Sequence, residues 1–215
     1  MTLIALVDSG SGNLRSAAKA LERAASEVGA AARVIVTDEP RDVAAADRIV
    51  LPGQGAFADC RRGVAAKPGL EQALVRAVIE QKRPFFGICV GMQLMVRLGL
   101  EHGRHDGLGW LDGSCIALPP ASGALKVPHM GWNELALTQP AHPVLRGLGS
   151  GDHVYFVHSY HVTGVPPDQV LATTDYGIPV VAMIGRDNLV GTQFHVEKSQ
   201  RTGLALLANF CAWRP

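Results

Sequence analysis

The sequence has no Cys-x-x-Cys pair. Its four cysteines, Cys60, Cys89, Cys115 and Cys211, are widely scattered, which argues against a zinc knuckle or a disulfide framework and fits a reducing cytosol. It also lacks an excess of charge. Lys and Arg number 20 against 19 Asp and Glu, for a net +1, so neither nucleic acid nor an anionic membrane is expected as a partner. No apolar run approaches the roughly 20 residues of a membrane span. The start, Met1-Thr2-Leu3-Ile4-Ala5-Leu6-Val7-Asp8, has no basic region and meets an acid too early for a signal peptide, so a cytoplasmic protein is expected. Two apparent motifs are incomplete. Gly10-x-Gly12 would need a third glycine where Arg15 stands, so no dinucleotide is expected. His102 and His105 have no third ligand at sensible spacing, so neither a metal nor any other cofactor is expected.

What remains is an ordinary globular composition, 47% hydrophobic and 18% charged. At 215 residues, with no internal repeat, a single domain spanning 1–215 is the expectation. Leu3 to Val7 is a short apolar run of the kind buried in a parallel sheet, followed by an amphipathic helix carrying Leu14, Ala17, Ala18 and Leu21. Val34 to Val36 and Ile49 to Leu51 read as further strands. Glu71 to Gln81 reads as a helix with Leu74, Val75, Val78 and Ile79 on one face. Leu118 to Gly131 is rich in proline, glycine and small residues. The second half gives short strands at Asn133 to Leu137, Val154 to Val157, Val170 to Thr173, Val180 to Ile184 and Leu189 to Phe194, then a helix from Gln200 to Trp213. Connections too short for crossover helices make some of these strands antiparallel. The fold class expected is α/β, a doubly wound, mostly parallel sheet flanked by helices, with additional short antiparallel strands.

Two stretches carry chemistry. Gly87-Ile88-Cys89-Val90-Gly91-Met92-Gln93 follows the apolar Pro84-Phe85-Phe86 and leads into Leu94-Met95-Val96, which reads as the start of a helix. A Gly-x-Cys-x-Gly between strand and helix has the form of a nucleophile elbow, with the middle side chain exposed where free N–H groups favour a thiolate. In Gln193-Phe194-His195-Val196-Glu197-Lys198-Ser199, residues two apart on an extended segment point the same way, so Glu197 can orient and charge His195. Sites in such folds gather beyond the carboxyl ends of strands, which brings in the loop Pro52-Gly53-Gln54-Gly55. The Val90 N–H and an N–H from Gly53-Gln54-Gly55 could then hold an oxyanion. The chemistry implied is acyl transfer from an amide or ester through a thioester.

The elbow and the Gln-Phe-His-x-Glu-Lys-Ser run resemble those of the class I glutamine amidotransferases. Lys126-Val127-Pro128-His129-Met130-Gly131-Trp132-Asn133, Tyr155-Phe156-Val157-His158-Ser159-Tyr160 and Asp8-x-Gly-Ser-Gly-Asn-Leu-Arg are similar, more narrowly, to the glutaminase subunits of imidazole glycerol phosphate synthases. The resemblance implies hydrolysis of glutamine to glutamate and ammonia. The ammonia would pass to a (β/α)8-barrel cyclase subunit in a heterodimer serving histidine biosynthesis. It makes Cys89 the nucleophile, His195 the general base and acid, and Glu197 its orienting carboxylate. Gly53, Gln54 and Val90 become the oxyanion site, and Gly55, Gln93, Ser159 and Tyr160 the glutamine-binding residues. Asn13, Trp132, Tyr155 and Lys198 fall where the cyclase is contacted or its ammonia path gated.

Three positions depart from the pattern: Val196 replaces a usual proline, Ser9 a common aromatic, and Gln54 a small aliphatic. Three other readings compete. A glutaminase of pyridoxal phosphate synthesis would share the triad but not the run from Val127 to Trp132. A silent regulatory subunit has no need of Cys89, Gln93, His195 and Glu197 together. A stress-type α/β protein with an elbow cysteine leaves His-x-Glu unexplained.

Overall fold

The computed structural model describes residues 1–29, 31–119 and 125–215. Of the proline- and glycine-rich stretch Leu118 to Gly131, residues 120–124 lie outside the described residues. The first half alternates strand and helix: β1 (Thr2–Val7), α1 (Leu14–Glu27), β2 (Ala32–Thr37), α2 (Pro40–Ala45), β3 (Arg48–Gly53), α3 (Phe57–Ala66) and α4 (Leu70–Leu74), which continues as a π-helical turn over Val75–Glu80. Then come β4 (Phe85–Cys89), α5 (Val90–Gln93), β5 (Val96–Gly99), β6 (His105–Asp106) and β7 (Leu111–Ala117). The second half supplies β8 (His129–Glu134), β9 (Ala136–Leu137), β10 (His153–His158), β11 (Tyr160–Thr163), β12 (Val170–Asp175), β13 (Pro179–Arg186), β14 (Leu189–Thr192) and α6 (Gln200–Ala212).

The expected α/β architecture is present. An eight-stranded sheet runs β2-β1-β3-β4-β14-β13-β12-β9. Its first five strands are parallel, and β13, β12 and β9 continue it antiparallel, as the short connections required. The central strands are apolar without alternation because both faces are covered: Ile4 to Val7, Ile49 to Leu51, Phe85 and Phe86 are all fully buried. The helix α1 sets Ala17, Leu21, Ala24 and Ala25 inward and packs on α6. Register places Gly53 beside Cys89 and Thr192 beside Ile88, so the carboxyl ends of β3, β4 and β14 lie abreast. That alignment positions the site.

The helix expected to begin at Leu94-Met95-Val96 is not there. The helix after the elbow is the single turn Val90–Gln93, and Val96–Gly99 is a strand. The carbonyls a longer helix would use are taken by the following loop: Leu94 O accepts from Leu108 N (2.7 Å), Met95 O from Trp110 N (2.9 Å) and Arg97 O from Gly107 N (2.9 Å). The chain turns back instead and builds a second, four-stranded sheet, β11-β7-β5-β6, none of whose strands was expected from the sequence. The expected strand Asn133 to Leu137 is divided. Its first half belongs to β8, which pairs with β10 in a two-stranded ribbon, and its last two residues form β9 at the edge of the main sheet.

Candidate active site

Cys89 ends β4 and caps α5 with φ +54° and ψ −110°, a conformation rarely taken by a non-glycine residue and costing on the order of 1–3 kcal/mol. It is tolerated because the surroundings fix it. A side chain at Gly91 would place Cβ 1.8 Å from the Leu51 carbonyl oxygen, and one at Gly53 would lie 2.9 Å from Val90 Cβ. The elbow, the loop beginning at Gly53 and β3 can approach this closely only where both positions lack a side chain. Cys89 is 4% exposed.

His195 and Glu197 do meet, with Nδ1 and Oε1 2.8 Å apart and both side chains 3% exposed. The route differs from the one expected. The strand β14 stops at Thr192, and Val196–Lys198 is a 3-10 turn rather than extended chain. His195 N donates to Tyr155 O (3.0 Å), and Ser199 Oγ donates to His195 O (2.6 Å), so the backbone of the histidine is held from both sides. Val196, at the position where proline is usual, enters that turn with its side chain buried. Burial pushes the His195 imidazole down, but its hydrogen bonds and charge interactions with Cys89 and Glu197 outweigh this and raise its pKa to about 9. A buried, paired imidazole next to a sulfur can take a proton from a thiol and return it to a leaving group.

The proposed oxyanion residues also converge. Gly53 lies beside Cys89 in register, Val90 follows it, and the Gln54 carbonyl accepts from Cys60 Sγ (3.3 Å), which lies 3.0 Å from Ser11 Oγ. A cavity of about 250 Å³ opens alongside, lined by Gly55, Val90, Gln93, Ser159 and Tyr160 together with Glu101 and His158. That is below the roughly 300–1,000 Å³ of sites for drug-sized ligands and suits one of amino-acid size. All four residues expected to hold substrate line it.

Of the four expected partner residues, three cluster. Trp132 and Tyr155 are cross-strand neighbours with ring centroids 5.9 Å apart, and Lys198 Nζ sits 5.8 Å from the Tyr155 centroid. Trp132 is 47% and nearby Met130 63% exposed. Asn13 is separate, at the start of α1, where its Oδ1 accepts from Ser16 N (3.3 Å), yet it borders the same small gap as Gly53, Gln54, His195 and Glu197. Sequence reasoning missed two residues. Gln193 is fully buried, accepts from Gln93 Nε2 (3.1 Å), and points its own Nε2 at Cys89 Sγ (3.7 Å). It stands two residues before His195, and that proximity was the available signal. Glu101 accepts from Phe57 N (2.6 Å) and lines the cavity, with no local motif to reveal it. Among the described residues no group of three His, Cys, Asp or Glu side chains is placed to hold a metal ion, and no helix is long and apolar enough to cross a membrane.

The family model for class-I glutamine amidotransferases matches residues 5–213. The chain belongs to that family and is an enzyme of that class. Its similar relatives include the imidazole glycerol phosphate synthase subunit HisH of Rhodospirillum rubrum, 57% identical over 212 residues with 99% of each chain covered. The protein of the same name from Cereibacter sphaeroides is 54% identical over 213 residues, covering 99% of this chain and 100% of that one. Among solved structures, a glutamine amidotransferase aligns with TM-score 0.67 at 19% identity over 95% of this chain and 98% of that one. A glutamine amidotransferase of Thermotoga maritima gives 0.59 at 15% identity, over 91% of this chain and 76% of that one. At those identities the two structures bear on the fold alone.

Proposed function

We infer that this chain is the glutaminase subunit of an imidazole glycerol phosphate synthase, folded as one domain over 1–215 and working in the cytoplasm. Cys89 Sγ attacks the side-chain carbonyl carbon of glutamine, and the electron pair displaced onto oxygen is held by the Val90 N–H and an N–H of the Gly53–Gln54 loop. His195, kept as imidazolium by Glu197, protonates the amide nitrogen, the C–N bond breaks, and ammonia leaves a thioester on Cys89. The now neutral His195 takes a proton from water, which attacks the thioester. Collapse returns the proton to sulfur and frees glutamate. Gly55, Gln93, Ser159 and Tyr160 hold the substrate.

Ammonia released to water at neutral pH would become unreactive ammonium, so the product needs an acceptor at hand. In this reading a (β/α)8-barrel cyclase, docked through Trp132, Tyr155, Lys198 and Asn13, receives it. The observation that carries the reading is a strained elbow cysteine beside a buried His195–Glu197 pair and an amino-acid-sized cavity. Near-full-length similarity to proteins named as synthase subunits supports the partner. Co-purification with a candidate cyclase, followed by a glutamine-dependent assay of imidazole glycerol phosphate, tests it. Weak hydrolysis alone, strong stimulation by the cyclase with its nucleotide ligand, and product formation are expected. No complex and no stimulation would refute the assignment to the synthase.

A further inference from the structure

Two histidines outside the triad are buried and bonded to each other. His129 is 2% and His158 6% exposed, and His129 Nδ1 lies 3.0 Å from His158 Nε2. Which atom carries each proton follows from the ends of the chain they form. At one end Asn133 Oδ1 accepts from Glu134 N (2.8 Å) while its Nδ2 donates to Asp175 O (2.8 Å), which fixes the amide and presents an N–H to His129 Nε2 at 3.3 Å. At the other end His158 Nδ1 meets the Tyr160 carbonyl at 3.0 Å, and a carbonyl only accepts. Hence Asn133 donates to His129, His129 donates through Nδ1 to His158, and His158 donates through Nδ1 to Tyr160 O. The bonds fit only one tautomer of each ring.

The Tyr160 carbonyl accepts a second bond, from Gln93 Nε2 (3.1 Å), whose amide also donates to Gln193 Oε1 (3.1 Å). Gln193 is thereby turned with its Nε2 toward Cys89 Sγ. The hydrogen-bonded series thus runs from β8 to the nucleophile. The strand β8 is also the one that exposes Met130 and Trp132.

We propose that His129 and His158 are positioning residues, a buried directional relay that fixes the Tyr160 carbonyl and through it the Gln93 amide, so that the exposed ribbon and the glutamine cavity are coupled. Burial holds both rings neutral, with the pKa of His129 lowered to about 4 and that of His158 to about 3, as a relay with one proton per ring requires. The assignment rests on the glutaminase reading for its substrate, but the tautomers do not.

The test has two arms on the full chain. Nitrogen-15 NMR of the imidazoles near neutral pH should show protonated Nδ1 and bare Nε2 on both rings. A proton on Nε2 of either ring overturns the relay. In the second arm a chloromethyl ketone analogue of glutamine alkylates Cys89, and its half-saturating concentration and limiting rate are measured. His129 is stacked between Phe156 (centroids 4.5 Å apart) and Tyr176 (3.9 Å), so His129→Phe keeps the packing and removes the donor. His129→Asn sacrifices packing but keeps an N–H near the Nδ1 position. The phenylalanine variant should raise the half-saturating concentration about tenfold with little change in limiting rate, while asparagine stays near wild type. Wild-type behaviour in the phenylalanine variant, or equal loss in both, would show packing alone and overturn the proposal. Failure of the wild type to be alkylated at Cys89 would instead sink the glutaminase reading, leaving the relay to the NMR arm.

Discussion

Glu197→Gln isolates what the carboxylate does for His195. The pair is 2.8 Å apart with both side chains 3% exposed, so solvent screens it little. At an effective dielectric of about 20, unit charges about 4 Å apart interact by about 4 kcal/mol, equivalent to about 3 pKa units. Burial, which lowers the imidazole pKa, and the contact with Cys89, which raises it, both persist in the variant. The imidazole pKa, raised to about 9 in the native site, should therefore fall by about 2 to 3 units, into the ordinary histidine range. Because His195 in the proposed mechanism holds a proton to release ammonia, kcat/KM for glutamine should decline above about pH 9 in the wild type and above about pH 7 in the variant. The assay is glutamate release by the cyclase complex over about pH 6 to 10. An alkaline limb unmoved by the substitution would refute the role given to Glu197. The raised pKa has a stability counterpart. It adds about 3 kcal/mol that is fully present below the ordinary value of 6.5 and is lost as pH rises through about 9.

Three further outcomes follow from the packing. Gly91→Ala drives a Cβ into the Leu51 carbonyl, so it should destabilise by about 2–3 kcal/mol and abolish alkylation of Cys89 even in folded protein, measured by melting and labelling together. Asn188 is buried and donates to Val78 O (2.8 Å) and Arg83 O (2.7 Å), tying the start of β14 to the chain before β4. Asn188→Ala should cost about 3 kcal/mol and lower Tm by about 6–12 °C, and an unchanged Tm would contradict this. Trp132→Ala removes a side chain that is half exposed on the free chain, so it should leave Tm within a degree or two while weakening the cyclase by about 30-fold in a binding titration.

The central parallel strands were legible because they are buried on both faces and read as unbroken apolar runs, such as Leu3 to Val7 and Ile49 to Leu51. The elbow was legible because sharp turns demand small residues at fixed spacing. The second sheet was not. Leu94 to Arg97 are compatible with a helix, and only the carbonyl claims of residues 107–111, from further along the chain, end the helix and let a strand begin at Val96. Spacing correctly brought His195 to Glu197 although the backbone between them is a 3-10 turn rather than extended chain. The cavity depended on β10 and β11 bringing residues 158–160 back to Gln93, a long-range event with no local signature.

The proposed chemistry turns on the sulfur of Cys89. Glutamine hydrolysis by the cyclase complex carrying Cys89→Ala, with complex formation measured on the same sample, tests that most directly. An intact complex with hydrolysis abolished is expected. An intact complex that still hydrolyses glutamine at the wild-type rate would contradict it.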